Sequence, residues 1–129
     1  MNLRLINDAR RFYETGLGFE FSRTLFEGRV AELDAAGTKL YLIQQAQGST
    51  AVKGTGIRRD YASHWTPVHL DVLVEDLEAV LEKALDAGAT QSGATGIHRW
   101  GKLAPLRDPF GHGVCLLQLL GEGYDLVED

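Results

Sequence analysis

The sequence predicts an α+β fold in which two βαβββ modules form a cupped mixed sheet with the helices outside. Three observations carry that expectation. Each half opens with a short β-patterned run, each then shows one amphipathic helical stripe, and each ends in three further strand candidates separated by turn residues.

In the first half, residues 2–6 (NLRLI) are the opening run, and Asn7-Asp8 can cap a helix. Ala9, Phe12, Tyr13 and Gly16 then fall on one helical face, with Gly16 and Gly18 as the stop. Strands are expected at 19–25, 29–35 and 38–45, with turns at Gly28 and Gly37. The second half repeats this order from 68–74 (VHLDVLV). Asp76 is the N-cap, Leu77, Val80, Leu81, Ala84 and Leu85 form the stripe, and Gly88 ends it. Strands follow near 91–97, 99–107 and 113–120, the last two joined by Asp108-Pro109-Phe110-Gly111, which suits a type I turn. The expected organisation is a single domain over 1–129: module one 1–45, linker 46–66, module two 67–120 and a frayed acidic tail 121–129. Neither half holds enough core to stand alone, so the halves should pair.

Composition narrows the function classes. The chain has 129 residues, 44% hydrophobic and 24% charged, a globular balance that argues against disorder. Apolar runs such as Leu40–Ile43 are far shorter than the roughly 20 residues that span a bilayer. The opening MNLRLINDARR has no apolar stretch fit for a signal peptide, so a cytoplasmic location is expected. Cys115 is the only cysteine, which rules out an intrachain disulfide and a Cys-rich zinc site. The net charge of −5 is concentrated in the tail, and Arg58-Arg59 is no basic stripe, so neither nucleic acid nor membrane is an expected partner. Gly16-Leu17-Gly18 leaves a helix and enters a strand, the reverse of a dinucleotide fingerprint. No serine stands in a nucleophile-elbow context.

The segments Ala9-Arg10-Arg11-Phe12-Tyr13, Leu17-Gly18-Phe19, His69-Leu70-Asp71-Val72 with Asp76, Ala87-Gly88-Ala89, and Asp108-Pro109-Phe110-Gly111-His112 together resemble the vicinal oxygen chelate superfamily. That superfamily includes glyoxalase I, extradiol dioxygenases, and the bleomycin- and fosfomycin-resistance proteins. The resemblance implies that metal-bearing members take one ligand from the first and one from the last strand of each module. His69, seven residues before Asp76, matches the first of these positions in module two. The last-strand position, usually Glu, falls on Cys115, and its counterpart in module one on Tyr41. Matching Gly18 to Gly88 sends the counterpart of His69 to a place before Met1, so the first strand is expected to be clipped. One imidazole, one thiol and one phenol make a poor metal set, and no cofactor is expected; the alternative is a divalent metal held through His69.

Strand alternation puts His69, Asp71 and Leu73 on one face and the apolar Val68, Leu70, Val72 and Val74 on the other. The expected ligand-binding residues on the open face are Tyr41, His69, Asp71, Trp100 and Cys115. No catalytic residue is assigned. Cys115 has the bland alternative of a small buried hydrophobe, His112 that of a solvated turn residue, His64 that of a linker residue, and His98 that of packing beside Trp100. The leading expectation is a metal-free small-molecule binding protein holding an aromatic or partly cationic ligand. Its rivals are a metal-dependent lyase, isomerase or dioxygenase using His69, and a dimeric scaffold with a vestigial pocket. A homodimer is expected in any case, because a clipped first strand leaves an open edge.

Overall fold

The structure, a computed structural model, describes residues 1–3, 5–63 and 68–129. His64 therefore lies outside the described residues, as does Arg4 within the expected first strand. The first half consists of β1 (Asn2–Leu3), α1 (Ile6–Arg10) widening into a π-helical continuation (Arg11–Gly16), β2 (Glu20–Leu25), β3 (Val30–Ala35) and β4 (Thr38–Gln44). Its sheet runs β1-β4-β3-β2, with β1 parallel to β4. The second half consists of β5 (Leu70–Leu73), α2 (Leu77–Asp86), β6 (Thr90–Gln91), β7 (Gly96–His98), β8 (Gly101–Arg107) and β9 (Gly113–Leu119). Its sheet runs β5-β9-β8-β6, with β7 also on β8 and β5 parallel to β9. The βαβββ order is thus built twice, with the same strand order in each sheet.

Each element follows from its residues, with three departures from the expected pattern. The strand expected near 91–97 is two pieces, β6 and β7. They pair with Arg107–Leu106 and Leu103–Gly101 of β8 but skip Ala104 and Pro105. Pro105 has no N–H for the ladder, and only its carbonyl is used, accepting from the Ser92 N–H at 2.8 Å. The first helix begins at Ile6, ahead of Asn7-Asp8, and no side chain of its own first turn caps it. Gln44 supplies the cap from the last strand, its Oε1 accepting the Ile6 N–H at 3.3 Å. Gln118 does the same for Leu77 at 2.9 Å, alongside the expected Asp76 cap on Ala79 at 3.1 Å. Finally, the tail is not frayed. Gly123–Val127 forms a 3₁₀ turn, Arg99 donates to the Leu126 carbonyl at 3.2 Å, and Tyr124 packs 5.1 Å from the Trp100 ring.

A single buried cluster draws on both halves. Ala31, Leu33 and Leu42 supply one sheet, Ala104, Leu106, Val114 and Leu116 the other, and Phe12, Tyr13, Leu77 and Ala84 the helices. The two helices meet at Gly16, where a Cβ would stand 3.0 Å from the Ala87 Cβ and 3.3 Å from the Ala84 Cα. Only glycine permits that approach.

The halves are also tied by a buried carboxylate. Asp108, 4% exposed, accepts the Phe110 and His112 N–H groups at 2.8 and 2.9 Å through Oδ1. Its Oδ2 accepts the Tyr13 hydroxyl at 2.8 Å and lies 2.8 Å from His112 Nδ1. His112 is therefore a half-buried partner of Asp108 and not a solvated turn residue. Burial and the Asp108 charge push the Tyr13 hydroxyl well above its ordinary range, so it stays a donor. Among the described residues, no helix is long and apolar enough to cross a membrane.

Candidate ligand site

Alternation along the strands sends Leu70, Val72, Val114 and Leu116 into the core and leaves His69, Asp71, Leu73 and Cys115 on the open face. Asp71 stands directly opposite Cys115 in the β5–β9 register. His69 Nε2 lies 3.2 Å from Asp71 Oδ1, and the donor atoms of His69, Asp71 and Cys115 all lie within 4.8 Å of one another. His69 and Asp71 are open to solvent, with side chains 41% and 53% exposed, whereas Cys115 is buried. Burial pushes the Cys115 thiol up, and the Asp71 charge and hydrogen bond push it further. The thiol is therefore protonated and unreactive at neutral pH.

The open face of the first half has a different chemistry. Glu32 on β3 is 4% exposed and stands opposite Tyr41. Arg23 donates to its Oε2 at 3.1 and 3.3 Å, and the Lys39 ammonium lies 3.8 Å from its Oε1. The Arg23 hydrogen bonds, assisted by hydrogen bonds from Tyr41 and Ser22, hold the Glu32 carboxyl below its ordinary value. Lys39 also reaches Asp34 at 3.3 Å, and Asp34 accepts the Gly37 N–H at 2.8 Å.

Between these two faces lies a cavity of about 730 Å³. One wall is β5 with the following Val74, the other is the β3–β4 hairpin from Asp34 to Leu40, and Leu17–Glu20 complete it. Its charged lining is Glu20, Asp34, Asp71 and Lys39, three acids against one base that is already bound to Asp34. The apolar lining includes Leu17, Phe19, Leu40, Leu70 and Val72.

The five residues expected to bind a ligand are thus placed unequally. His69, Asp71 and Cys115 are brought together, and Asp71 also lines the cavity. Tyr41 is on the open face but is engaged by Glu32. Trp100 is elsewhere: it precedes β8, whose Pro105 is the partner of Cys115, and it stacks on His98 at 4.9 Å and packs at a tilt against Tyr124. Five residues of strand, roughly 16 Å, separate Pro105 from Trp100. Sequence reasoning missed Glu32, Asp34 and Lys39 as a linked set, and it left Asp71 out of the metal tally. Alternation on β3, which sets Glu32 and Asp34 opposite Ala31 and Leu33, was the available signal.

The donor set of His69, Asp71 and Cys115 fits a borderline-soft divalent ion such as zinc, offering one nitrogen, one oxygen and one sulfur from adjacent strands. The ion would have to displace the Cys115 proton, which burial and Asp71 now retain.

A duplicated βαβββ chain with paired sheets and an open-face cavity defines the vicinal oxygen chelate fold. Residues 4–117 match the glyoxalase-like domain, and the chain belongs to that family. Solved structures share the architecture. The genomically encoded fosfomycin resistance protein FosX from Listeria monocytogenes superposes with a TM-score of 0.69 at 13% identity, over 95% of this chain and 90% of that one. A glyoxalase-related enzyme from Fulvimarina pelagi gives 0.64 at 16%, over 92% and 84%. A glyoxalase/bleomycin resistance protein/dioxygenase from Alicyclobacillus acidocaldarius gives 0.63 at 16%, over 95% and 89%. At these identities the likeness is one of fold. No functionally curated protein matches the sequence.

Proposed function

We propose that the protein binds a small, partly cationic organic molecule in the cavity between β4 and β5, and that binding needs no metal. The observation that carries this reading is the cavity's charge: Glu20, Asp34 and Asp71 face a single lysine that is already paired, over a largely apolar floor. Such a site rewards a positive charge on an apolar or aromatic body. Asp71 would hold the charge, with His69 orienting its carboxylate and Cys115 closing the wall behind it. Tyr41 would act from the edge, through its contact with Glu32. Metal independence is supported by the first half, where Glu32 and Tyr41 are committed to Arg23 and to each other and so offer nothing to an ion. The protein is further proposed to be a cytoplasmic homodimer.

A thermal-shift screen of aromatic amines tests the reading. Ligand at about a hundred times its dissociation constant should stabilise the fold by roughly 2.7 kcal/mol. The shift should vanish in Asp71→Asn and persist in Trp100→Ala. A broad library without hits, or hits indifferent to Asp71→Asn, would overturn it.

The His69, Asp71 and Cys115 cluster favours a second reading, a metal-dependent lyase, isomerase or dioxygenase. A bound divalent ion would polarise a substrate oxygen as a Lewis acid. In this reading the side chains of His69, Asp71 and Cys115 would hold it. Zinc or cobalt retained at one equivalent after dialysis, and lost in His69→Ala, would establish it over the metal-free reading.

A further inference from the structure

The segment between the two halves carries no periodic pattern, yet it folds into a short hairpin of its own. Gly48 donates to the Arg59 carbonyl at 2.8 Å, Arg59 to the Ser49 carbonyl at 2.9 Å and Ala51 to the Ile57 carbonyl at 2.9 Å, with Thr50 opposite Arg58. Val52 and Ile57 flank its tip, exposed and outside the core cluster. A lone hairpin with no apolar face covered is marginal. Lys53, Arg58 and Arg59 make it basic, against the single acid Asp60 that follows. Residues 121–129 carry the opposite charge. Glu122, Asp125, Glu128 and Asp129 are all exposed, alongside the exposed Tyr124 and Val127. The one base in contact with this segment is Arg99, which donates to the Leu126 carbonyl. None of the three hairpin bases or four tail acids forms an ion pair among the described residues. The two patches are rooted at opposite ends of β9. The linker returns past Gly111, whose backbone lies against the Ala62 carbonyl in the turn before β9, and the acidic segment follows the end of that strand. Seven residues of strand, roughly 23 Å, lie between them.

We propose that these patches are the two sides of one interface, and that the partner is a second copy of this chain. The copies would lie antiparallel about a two-fold axis, so that the hairpin of each meets the acidic segment of the other. The inference rests on the homodimer proposed above and names its interface. Charge complementarity argues for this occupant. A chain of net charge −5 repels its copy in most orientations, whereas the antiparallel one sets three bases against four acids, twice. Val52 and Ile57 then meet Tyr124 and Val127, which gives each contact an apolar centre within a charged rim. The two-fold arrangement uses both patches of both chains and closes, whereas a single head-to-tail contact would propagate into open polymers. The acidic segment lies beyond residues 4–117, the span shared with the glyoxalase-like domain, so the family likeness does not supply this contact.

Sedimentation velocity at tens of micromolar chain tests the interface with two charge reversals. The first is Lys53→Glu with Arg58→Glu, and the second is Glu122→Lys with Asp125→Lys. The parent should sediment at twice the chain mass, and raising salt from about 50 to about 500 mM should weaken its association about tenfold. Each double variant alone should be monomeric, because its two patches then carry the same sign. An equimolar mixture of the two variants should dimerise again, since each reversed patch meets its complement, and that recovery also shows that both fold. Dimers of either variant alone, or variants with parental melting curves that stay monomeric when mixed, would overturn the interface and leave the homodimer standing. The salt series needs no variant and decides by itself if a variant melts early: association indifferent to salt overturns the interface too. A parent that is monomeric at low salt overturns the homodimer along with it.

Discussion

The last strands of the two halves end in the same device, a glutamine that caps the helix of its own half, Gln44 for Ile6 and Gln118 for Leu77. Aligned on these glutamines, Tyr41 and Cys115 occupy equivalent positions, three residues upstream, and both face the open side. Around Tyr41 the face is saturated: Glu32 is buried at 4% exposure and receives Arg23, Lys39, Tyr41 and Ser22. Around Cys115 the acid is open: Asp71 is half exposed, with His69 Nε2 at 3.2 Å and the Cys115 thiol beside it. A carboxylate surrounded by two cations and two hydroxyls has no lone pair to spare, so it organises the sheet. A carboxylate held by one imidazole and one thiol keeps its charge available, so it can receive a guest. Duplication supplied the same scaffold twice, and the acid of each copy has different neighbours: Glu32 is buried among cations, whereas Asp71 stays open to solvent.

The two open faces should differ most in their response to substitution at Glu32. Glu32→Gln leaves Arg23 and Lys39 facing a neutral amide and should lower the melting temperature by several degrees, the largest effect of any open-face substitution. Its pH signature has a definite sign. The Glu32 carboxyl is held below its ordinary 4.5, so its contribution is complete above that pH and is lost as pH falls below it. Thermal unfolding followed from neutral pH into the acid range should show this loss in the parent chain and a flatter acid limb in Glu32→Gln. Equal acid limbs would mean that the first face is no tighter than the second.

Asp71→Asn should move stability by no more than about 0.5 kcal/mol, the usual span for a solvent-open substitution, while abolishing the ligand-induced shift. A large loss of stability without ligand would show that Asp71 is structural after all, and the contrast would collapse.

The smallest effect concerns Cys115. With its thiol pushed up by burial and then by Asp71, alkylation by iodoacetamide at neutral pH should be much slower than in the denatured chain. Removing the charge in Asp71→Asn should lower the thiol's pKa and speed the reaction modestly. An unchanged rate would leave burial as the whole cause.

Much of the fold was legible because its determinants are local. The Leu77–Leu85 stripe, the Asp76 cap and the Asp108-Pro109 turn are each written within a few residues. The site was legible in part, since alternation from Val68 to Val74 turns His69 and Asp71 to the open face whatever they meet there. What sequence reasoning misplaced was decided by partners far along the chain. Pro105 splits a strand that reads as continuous near 91–97, Gln44 caps a helix 38 residues before it, and Tyr124 draws the acidic tail onto Trp100.

By itself, the sequence determined the duplicated βαβββ order, the apolar faces of its strands and helices, and the residues presented to the open side, because periodicity and turn chemistry act over a few residues at a time. Only the tertiary structure decided that Asp71 joins His69 and Cys115 while Trp100 stays apart, that Glu32 is buried among cations, and that the edges of β4 and β5 meet across a cavity. Those outcomes depend on strand register and on how two sheets share one core, and hydrogen-bond ladders set that register between residues distant in sequence.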